Sequence, residues 1–498
     1  MTTKKVIVIG AGVGGLVTAV QLAARGFQVQ VVERASTPGG KMREVAIGPH
    51  RIDAGPTVFT MRWILEDVFA DAGAALTDYL SLEPLEIIAR HAWSEHERLD
   101  LFAERERTIE AIGDFGGAAE ARGYRAYCDK AQSVYETLEG TFIRAQRPSP
   151  LGLMGRCGVS GLGRLRGIKP YDSLWRVLGD YFKDPRLRQL FGRYATYCGS
   201  SPFEAPGTLM LIAHVEQQGV WSVIGGMHQI ALALAKLARG LGATIEYDRE
   251  ATEILTARGG ASGVRFADGE VSGADAVVVN ADPAALASGR LGEGIRKAVR
   301  PLAPNSRSMS AMTWCLRAET EGFPLARHNV FFGRDYASEF ADIFRHARLP
   351  RDGTVYVCAQ DRACGEPRTT PGAERLFLLL NAPSRGDRQA FDAAEIKQCE
   401  QRVFSHLENR GLRIHRSPES TQVTTPTEFD RLFPATGGAL YGAATHGWRT
   451  PFTRPASRTR IPRLYLAGGG AHPGAGVPMA AISGRLAAAS LIEDLRSC

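Results

Sequence analysis

The sequence of 498 residues lacks the patterns that would assign a metal site, a membrane span or a nucleic-acid partner. Its eight cysteines are irregularly spaced without a CxxC pair, which argues against zinc or iron–sulfur sites and fits a reducing compartment. No stretch offers the ~18 unbroken apolar residues of a membrane-spanning helix. The net charge of +7 favours anionic partners, yet no RNA- or DNA-binding motif accompanies it. We therefore expect a cytoplasmic protein, free or peripheral on a membrane.

The clearest signal that is present lies in segment 6–34, VIVIGAGVGGLVTAVQLAARGFQVQVVER. An apolar run, a glycine turn, a helical stretch and a second apolar run predict a β-turn-α-β unit. Gly10 permits the tight turn, Gly12 lets the backbone approach a pyrophosphate, and Gly15 lets helix and strand pack closely. Glu33 ends the second strand, where its carboxylate can accept the ribose hydroxyls. The unit predicts a dinucleotide site, because these glycines would break the apolar helix of a signal peptide.

Two further loops favour FAD over NAD as the dinucleotide. They follow Glu33 and its neighbour Arg34 within a short stretch of chain. A nicotinamide site needs no additional loop of close backbone approach here, whereas the phosphates and ring of a flavin continue along the protein. The predicted loop contacts are Gly39, Gly40, Lys41, Gly55, Pro56 and Thr57.

Motifs at both ends of the chain resemble those of the flavin amine oxidase and carotenoid desaturase superfamily. GxGxxG with a trailing Glu-Arg, then GG-K and DAGPT, stand near the N-terminus. Segment 461–484, IPRLYLAGGGAHPGAGVPMAAISG, resembles the closing signature of bacterial phytoene-desaturase-type enzymes, and GVWSVIGGMHQI in the interior is also similar. The resemblance implies an α/β fold with a Rossmann-like FAD-binding domain, an inserted α+β substrate domain and a helical membrane-facing region.

The resemblance also implies which residues complete the FAD site. Gly226 and Met227 would lie near the flavin ring, and Ala251 would meet the adenine through backbone groups. The closing motif would supply Gly469, Gly470, Val477, Pro478 and Met479. In that motif AGGG stands where AGE is common in amine oxidases, which argues against an amine oxidase.

The resemblance further implies a discontinuous FAD-binding domain, formed by residues 1–70, 211–290 and 451–498. The first insertion, 71–210, is expected to be helical and membrane-facing. The second insertion, 291–450, is expected to contain the sheet of the substrate domain.

Local patterns agree with this division. A helix is predicted over 230–241, a strand over 244–247, a hairpin over 250–266 and a buried strand over 274–280. A strand of the substrate sheet is predicted over 375–380.

A basic stretch between Glu139 and Asp172 contains no acidic residue. Apolar residues alternate with its arginines and lysine, a mixture that suits an anionic bilayer surface; the alternative is a solvated loop with some leucines in the core. The predicted membrane-facing residues are Arg156, Arg164, Arg166 and Lys169.

Segment 440–484 begins LYG, continues through HGW and ends in the closing signature. Within the family it is most similar to the 1-hydroxycarotenoid 3,4-desaturases, also called methoxyneurosporene dehydrogenases. Their chemistry would move a hydride from an acyclic carotenoid to flavin N5, with loss of a proton from the neighbouring carbon. No side-chain nucleophile is needed, so no catalytic residue is assigned, although Asp53 and His446 are candidates for a base. The electron acceptor would be oxygen or a quinone.

Two alternatives remain at this point. Phytoene desaturases share the same frame, and Rab escort-type proteins use the scaffold to bind prenyl chains without FAD. The complete GG-K and HPGAGVP segments argue against the second alternative. If the substrate is hydroxylated, Gln360, Asn381 or Thr445 could read its hydroxyl group, a hypothesis without positional support in the sequence.

Overall fold

The computed structural model describes residues 3–156, 171–362 and 372–496. Short strands recur along these ranges wherever β-branched and aromatic residues cluster. In chain order they are β1 (Lys5–Ile9), β2 (Gln28–Val32), β3 (Glu44–Ile47), β4 (His50–Asp53), β5 (Leu82–Pro84), β6 (Ile87–Ala92), β7 (Arg98–Phe102), β8 (Trp221–Val223), β9 (Thr244–Glu246), β10 (Ala251–Ala257), β11 (Gly260–Phe266), β12 (Val271–Gly273), β13 (Ala276–Val279), β14 (Ser310–Gly322), β15 (His328–Phe331), β16 (Val355–Ala359), β17 (Glu374–Ala382), β18 (Leu412–His415), β19 (Thr421–Thr424) and β20 (Leu464–Leu466).

Helices connect these strands and cover the sheets. Several begin at an acidic, serine or threonine cap, as at Asp392, whose side chain accepts from the Glu395 N–H. In chain order they are α1 (Val13–Ala23), α2 (Trp63–Ala70), α3 (Arg105–Gly116), α4 (Ala118–Leu138), α5 (150–156), α6 (Leu174–Leu178), α7 (Pro185–Gly192), α8 (Leu211–Gln217), α9 (His228–Gly240), α10 (Pro283–Ala287), α11 (Tyr336–Phe340), α12 (Ala393–Glu408), α13 (Pro426–Leu432) and α14 (Val477–Arg496).

A parallel sheet of five strands, in the order β20-β13-β1-β2-β9, forms the first core. Alternate residues of β1 point to opposite faces. Val6 and Val8 pack with the helices α1, α9 and α14, whereas Ile7 and Ile9 pack against the three-stranded sheet β10-β11-β12. Since both faces are covered, the strand is apolar throughout. This layer confirms the predicted α/β fold with a Rossmann-like sheet.

Helices α1 and α14 approach so closely that their contact requires glycine. A Cβ atom on Gly484 would lie 2.4 Å from the carbonyl oxygen of Gly14 and 3.0 Å from Cβ of Val17. The Thr18 hydroxyl bridges the two helices, because its Oγ1 lies 2.8 Å from the Gly14 oxygen and 3.1 Å from the Gly484 oxygen. The last helix of the chain is thereby fixed against the first.

A second, mainly antiparallel sheet contains the strands β18-β14-β17-β16-β15-β6-β7, and β19 also pairs with β14. Strand β17 covers the predicted strand over 375–380. The strands β6 and β7 come from the first insertion, for which the sequence predicts only helices. Their mixed sequences, IIARHA and RLDLF, give no clean alternation. Because β6 pairs in parallel with β15, both insertions contribute to one sheet.

Among the helices of the described ranges, none combines the length and apolar character that a bilayer crossing needs.

Replacement of Gly484 by alanine tests the contact between α1 and α14. We expect G484A to lower the free energy of unfolding by about 1–3 kcal/mol, because an added methyl group must push two backbones apart. Thermal unfolding of the purified variant measures this change.

The matched control is G240A. Gly240 ends α9 at an exposed position and has open space where a Cβ atom would be. Alanine stabilises a helix relative to glycine by about 0.5–1 kcal/mol. The free energy of unfolding of G240A should therefore be unchanged or higher. Equal effects of the two substitutions would show that the helix contact is not tight.

Candidate active site

A cavity of about 1660 Å³ lies between the carboxyl ends of the parallel strands and the second sheet. Its wall combines the glycine-rich loops of the first core with side chains of β14, β16 and β17. Ordinary small-molecule pockets enclose about 300–1,000 Å³. The cavity is therefore large enough for a dinucleotide and a second, elongated ligand.

The first end of the cavity is formed by the β1–α1 turn. Gly10 and Gly12 line it, together with Val13 and Gly14 in the first turn of α1. A helix N-terminus has N–H groups without intrahelical partners and attracts phosphates. Glu33 also lines this end, where its carboxylate accepts from the N–H groups of Ala11 at 2.7 Å and of Ala35 at 2.9 Å.

The remaining predicted residues at this end occupy its outer wall. Arg34 lines the cavity and donates to the carbonyl oxygen of Arg431 at 3.0 Å. Ala251 lines it at the start of β10, beside Arg249 and Glu250. These positions are compatible with the predicted contacts to ribose and adenine.

Asn280 is a site residue that the sequence analysis assigns only to a strand end. Its side chain packs against the β1–α1 turn: a Cβ atom on Gly12 would lie 2.6 Å from Asn280 Nδ2, and one on Gly14 would lie 2.7 Å from Oδ1. The glycines thus leave room for this amide as well as for a ligand. The sequence indicates this role through the position of Asn280. It directly follows a buried parallel strand, whose end lies at the same sheet edge as the glycine turn.

The second glycine loop touches the first. The Gly39 N–H donates to the Ala11 carbonyl oxygen at 2.8 Å, and a Cβ atom on Gly39 would lie 2.2 Å from the Met42 oxygen. Gly39 also has φ = +117°, a conformation that glycine adopts without strain. Gly39, Gly40 and Lys41 all line the cavity.

Lys41 places a cation in this wall. Its Nζ donates to the Leu440 carbonyl oxygen at 2.6 Å and lies 5.4 Å from the ring centre of Phe433. Burial lowers the pKa of Lys41, and the nearby Asp282 carboxylate opposes this effect. Gly55 crosses directly over Lys41, where a Cβ atom would lie 1.9 Å from the Lys41 oxygen, and Gly55, Pro56 and Thr57 also line the cavity.

The closing segment of the chain completes this half of the site. Gly469 and Gly470 line the cavity, as do Val477, Pro478 and Met479 at the beginning of α14. The segment is held by Arg454, a residue that the sequence analysis missed among 60 basic residues. The buried Arg454 guanidinium donates to the carbonyl oxygens of Tyr441, Ala443 and Gly469, and burial lowers its pKa.

Three predicted cofactor residues do not line the cavity. Gly15 packs against the turn instead, since its Cβ would lie 2.1 Å from the Gly10 oxygen. Gly226 and Met227, predicted near the ring, hold Asp53: a Cβ on Gly226 would lie 2.7 Å from Asp53 Oδ2, and the Met227 N–H donates to this oxygen at 2.7 Å. Their backbone therefore binds the Asp53 carboxylate at the start of α9, and their place near the flavin ring stays a prediction.

The two candidate bases also lie outside the cavity wall. Burial raises the pKa of the Asp53 carboxyl, while backbone N–H groups of Met227 and His228 oppose that rise. His446 accepts from the Ser201 N–H and lies 3.2 Å from Glu204. Both side chains are occupied in holding neighbouring segments together.

Of the three residues considered for reading a hydroxyl, two reach the cavity. Asn381 and Thr445 line it, but Gln360 does not. The Gln360 amide exchanges hydrogen bonds with the backbone N–H and carbonyl oxygen of Asp53, at 3.0 and 2.9 Å. The Gln360 side chain is therefore not placed to bind a substrate hydroxyl in the cavity.

The second half of the cavity is mainly apolar. Helices α4, α5 and α8, the turn after α4 and segment 440–452 supply its walls. The apolar lining residues are Leu138, Phe142, Ile143, Pro150, Leu153, Met154, Leu209, Leu211, Ile212, Val215, Phe377, Leu379, Trp448, Pro451 and Phe452. Such a surface binds a hydrocarbon chain by removing both from water.

A charged group interrupts this apolar wall. Arg193 lies 3.5 Å from the Tyr197 hydroxyl, and Tyr197 and Tyr194 both donate to the buried Glu216 carboxylate, the latter at 2.7 Å. Burial raises the pKa of the Glu216 carboxyl, and the two tyrosines and Arg193 oppose that effect. Nothing in the local sequence pattern distinguishes these four residues, so the group could not be predicted.

The basic stretch between Glu139 and Asp172 also contains exposed apolar side chains. Leu151 is 80% exposed, Tyr171 is 76% exposed and Met154 is 47% exposed, and the last two also line the cavity. Arg156 is exposed, although it donates to the Gln146 carbonyl oxygen at 2.8 Å. The other predicted membrane-facing residues, Arg164, Arg166 and Lys169, lie outside the described residues.

Comparison with known proteins shows which family has this arrangement. The sequence pattern of the flavin containing amine oxidoreductases matches residues 13–492. The chain belongs to this family. Membership makes the protein a flavin oxidoreductase and implies FAD as its cofactor.

Curated relatives within the family cover almost the full chain. The hydroxyneurosporene desaturase of Rubrivivax gelatinosus is 53% identical over 498 residues, covering 100% of this chain and 95% of the relative. The hydroxyneurosporene desaturase of Cereibacter sphaeroides is 43% identical over 493 residues, covering 99% and 98%. A lycopene-forming phytoene desaturase of Pseudescherichia vulneris is 30% identical, covering 99% and 100%. The carotenoid desaturase resemblance is confirmed.

Solved structures of two oxidases agree with this chain in fold. Putrescine oxidase bound to putrescine aligns with a TM-score of 0.59 at 15% identity, covering 99% of both chains. Cyclohexylamine oxidase from Brevibacterium oxydans aligns with a TM-score of 0.56 at 16% identity, covering 99% and 100%. At this identity the likeness establishes the architecture alone.

The residues of the first half of the cavity fit FAD. Two adjoining glycine loops bring backbone to the cavity surface, a helix begins there, and Glu33 and Lys41 provide opposite charges at separate points along it. This sequence of contacts matches the adenosine, pyrophosphate and ring of an extended dinucleotide. We therefore expect these residues to hold FAD.

The substitution E33Q tests the adenosine end. The carboxylate accepts from two backbone N–H groups, and an amide would turn its own donor toward one of them. We expect FAD binding to weaken by roughly ten- to a hundredfold, as measured by titration of apoprotein with FAD.

The matched control is E250Q, an exposed carboxylate at the same end of the cavity. FAD affinity should be almost unchanged there. If E33Q bound FAD as tightly as this control, Glu33 would have no part in the cofactor site.

Proposed function

We propose that this flavin oxidoreductase desaturates acyclic 1-hydroxy- or 1-methoxycarotenoids at C-3,4. The observation that carries the proposal is the long apolar half of a cavity whose other half fits FAD. A polyene matches such a cavity in size and polarity. The relatives at 53% and 43% identity are hydroxyneurosporene desaturases, which supports a hydroxylated substrate.

FAD, when bound, supplies the oxidant that accepts a hydride. The substrate loses that hydride from one carbon and a proton from its neighbour, and a double bond forms between the two. The polyene can delocalise the positive charge that develops, so the protein need not supply a nucleophile. Because the reaction leaves two electrons on the protein, it needs an acceptor, oxygen or a quinone, for the next turnover.

The chain itself orients the substrate and excludes water. The apolar residues of α4, α8 and segment 440–452 would hold the polyene extended, with one end beside the loops at Gly55 and Gly469. Thr57 connects the Gly55 loop to the second sheet, since its Oγ1 lies 2.7 Å from the Tyr356 hydroxyl on β16. Holding reactants in a fixed, dry geometry is a substantial part of such catalysis.

An anaerobic assay tests this function. Purified FAD-loaded protein is given 1-hydroxyneurosporene or phytoene in liposomes, and flavin bleaching is followed together with the polyene spectrum. We expect bleaching and a red shift with the hydroxylated carotenoid alone. Oxygen and a quinone are then added separately to find which restores the oxidised flavin.

Reaction with phytoene would instead support the alternative of a phytoene desaturase. Bleaching with neither substrate would overturn the carotenoid proposal while leaving the flavin fold intact. FAD-free protein that binds a prenyl chain would favour the non-enzymatic alternative.

We further propose that the mouth of the cavity docks on an anionic membrane on the cytoplasmic side. Leu151, Met154 and Tyr171 are exposed, and the basic residues Arg164, Arg166 and Lys169 lie in the chain between them. Apolar side chains can enter the interface while cations pair with headgroups. A lipid-borne substrate could then reach the apolar half without crossing water.

The membrane proposal predicts that the double variant L151E/M154E dissociates from anionic liposomes in a flotation assay. The charge-reversal variant R164E/R166E/K169E should do the same. The control is V271E. Val271 is as exposed as Met154, at 47%, but it lies on β12 and not in the basic stretch. If both test variants floated like V271E, the mouth would not be the docking surface.

A further inference from the structure

A group of buried polar side chains interrupts the apolar wall where the second sheet meets the cavity. It contains Thr313 on β14, Tyr336 and Glu339 on α11, Thr354 beside β16, and Asn381 on β17. All five line the cavity, and each is at most 7% exposed except Asn381, which is partly buried. We call these five residues the polar recess.

The strand register places Thr313 and Asn381 on the same face of the second sheet. Leu379 pairs with Thr313 on one side and with Tyr356 on the other, so the three side chains form one row across the sheet. Asn381 lies two residues further along β17 and therefore faces the same way. The Tyr356 hydroxyl is 2.7 Å from Thr57 Oγ1, which ties this row to the loop expected to contact the flavin ring.

Part of the polar recess is already paired. Glu339 accepts from the Thr354 N–H at 3.0 Å and from its hydroxyl at 2.8 Å, and the Asn381 amide donates to it at 3.4 Å. Burial raises the pKa of Glu339 to about 7, despite these donors. The carboxyl is thus fixed in place at the cavity wall.

Another part has no partner within the described residues. The hydroxyls of Thr313 and Tyr336 are buried, and neither makes a hydrogen bond to the described chain. A buried hydroxyl without a partner costs free energy, and it usually indicates a missing ligand or water. Both residues line the cavity, so a bound molecule can supply the partner.

We propose that the polar recess binds the C-1 oxygen of the substrate and thereby selects hydroxylated carotenoids. The inference rests on the proposed function and deepens it. Only one methylene separates the hydroxyl carbon from C-3, so the oxygen must lie close to the reacting carbons. The polar recess meets this requirement, because Thr313 lies in the row that reaches the Thr57 loop through Tyr356.

A site built to pair with a hydroxyl rejects the analogue that lacks it far more strongly than an apolar pocket can. The hydroxyl would find donors and acceptors in Thr313, Tyr336 and Asn381. A hydrocarbon end would leave them unpaired. Thr445, the other polar candidate in the wall, lies on segment 440–452 and outside the polar recess.

Three near-isosteric substitutions test the proposal: T313V, Y336F and N381L. The ratio of kcat/KM for 1-hydroxyneurosporene to that for neurosporene is measured with FAD-loaded protein, and KM is compared for each substrate. We expect the ratio to fall at least about tenfold, mainly through a higher KM for the hydroxylated substrate, while activity on neurosporene is kept or raised. The control T445V should leave the ratio unchanged.

A purely structural role gives a different result. Since T313V and Y336F remove hydroxyls without partners in the described chain, they should fold at least as stably as the parent protein, and FAD content and thermal unfolding verify this. Variants that fold, bind FAD and retain the parent ratio would overturn the inference. Failure of the parent protein to turn over 1-hydroxyneurosporene would instead overturn the proposed function.

Discussion

The close approach of three backbone segments around the Asn280 side chain is the constraint on which the rest of the site depends. The β1–α1 turn, the end of β13 and the loop after β20 meet there, and a Cβ atom at Gly14 would collide with both Asn280 and Gly468. Because these segments come from distant parts of the chain, their contact fixes where α1 and α14 begin. It also fixes the edge along which a dinucleotide can lie.

Much of the cofactor half could be predicted because its requirements are local. A glycine is needed wherever backbone must pass within van der Waals distance of backbone, as at Gly39 and Gly55, and this requirement is visible in the sequence. Gly226 and Met227 also make a contact that local patterns do not reveal. In the fold their segment binds the Asp53 carboxylate, a partner far away in the sequence.

The substrate half was harder to predict, because its chemistry depends on which strands become neighbours. Thr313, Tyr336 and Asn381 are unremarkable in the sequence, and only the register of β14, β16 and β17 brings them to one wall. The same holds for Arg193 and Glu216, which meet through two tyrosines. Polar groups within an apolar cavity wall can determine which substrate binds, yet local sequence periodicity does not predict where they lie.

The pairing of β6 with β15 has a consequence for how the protein is made. Arg90 on β6 pairs with Asn329 on β15, so β6 can form this pairing only after the much later strand β15 has been synthesised. Strand β13 likewise waits for β20 near the end of the chain. The five-stranded sheet is completed only after β20 has been synthesised, and its apolar edge at β13 stays open until then. We therefore expect folding of the first core to depend on protection of this edge until β20 can pair with β13.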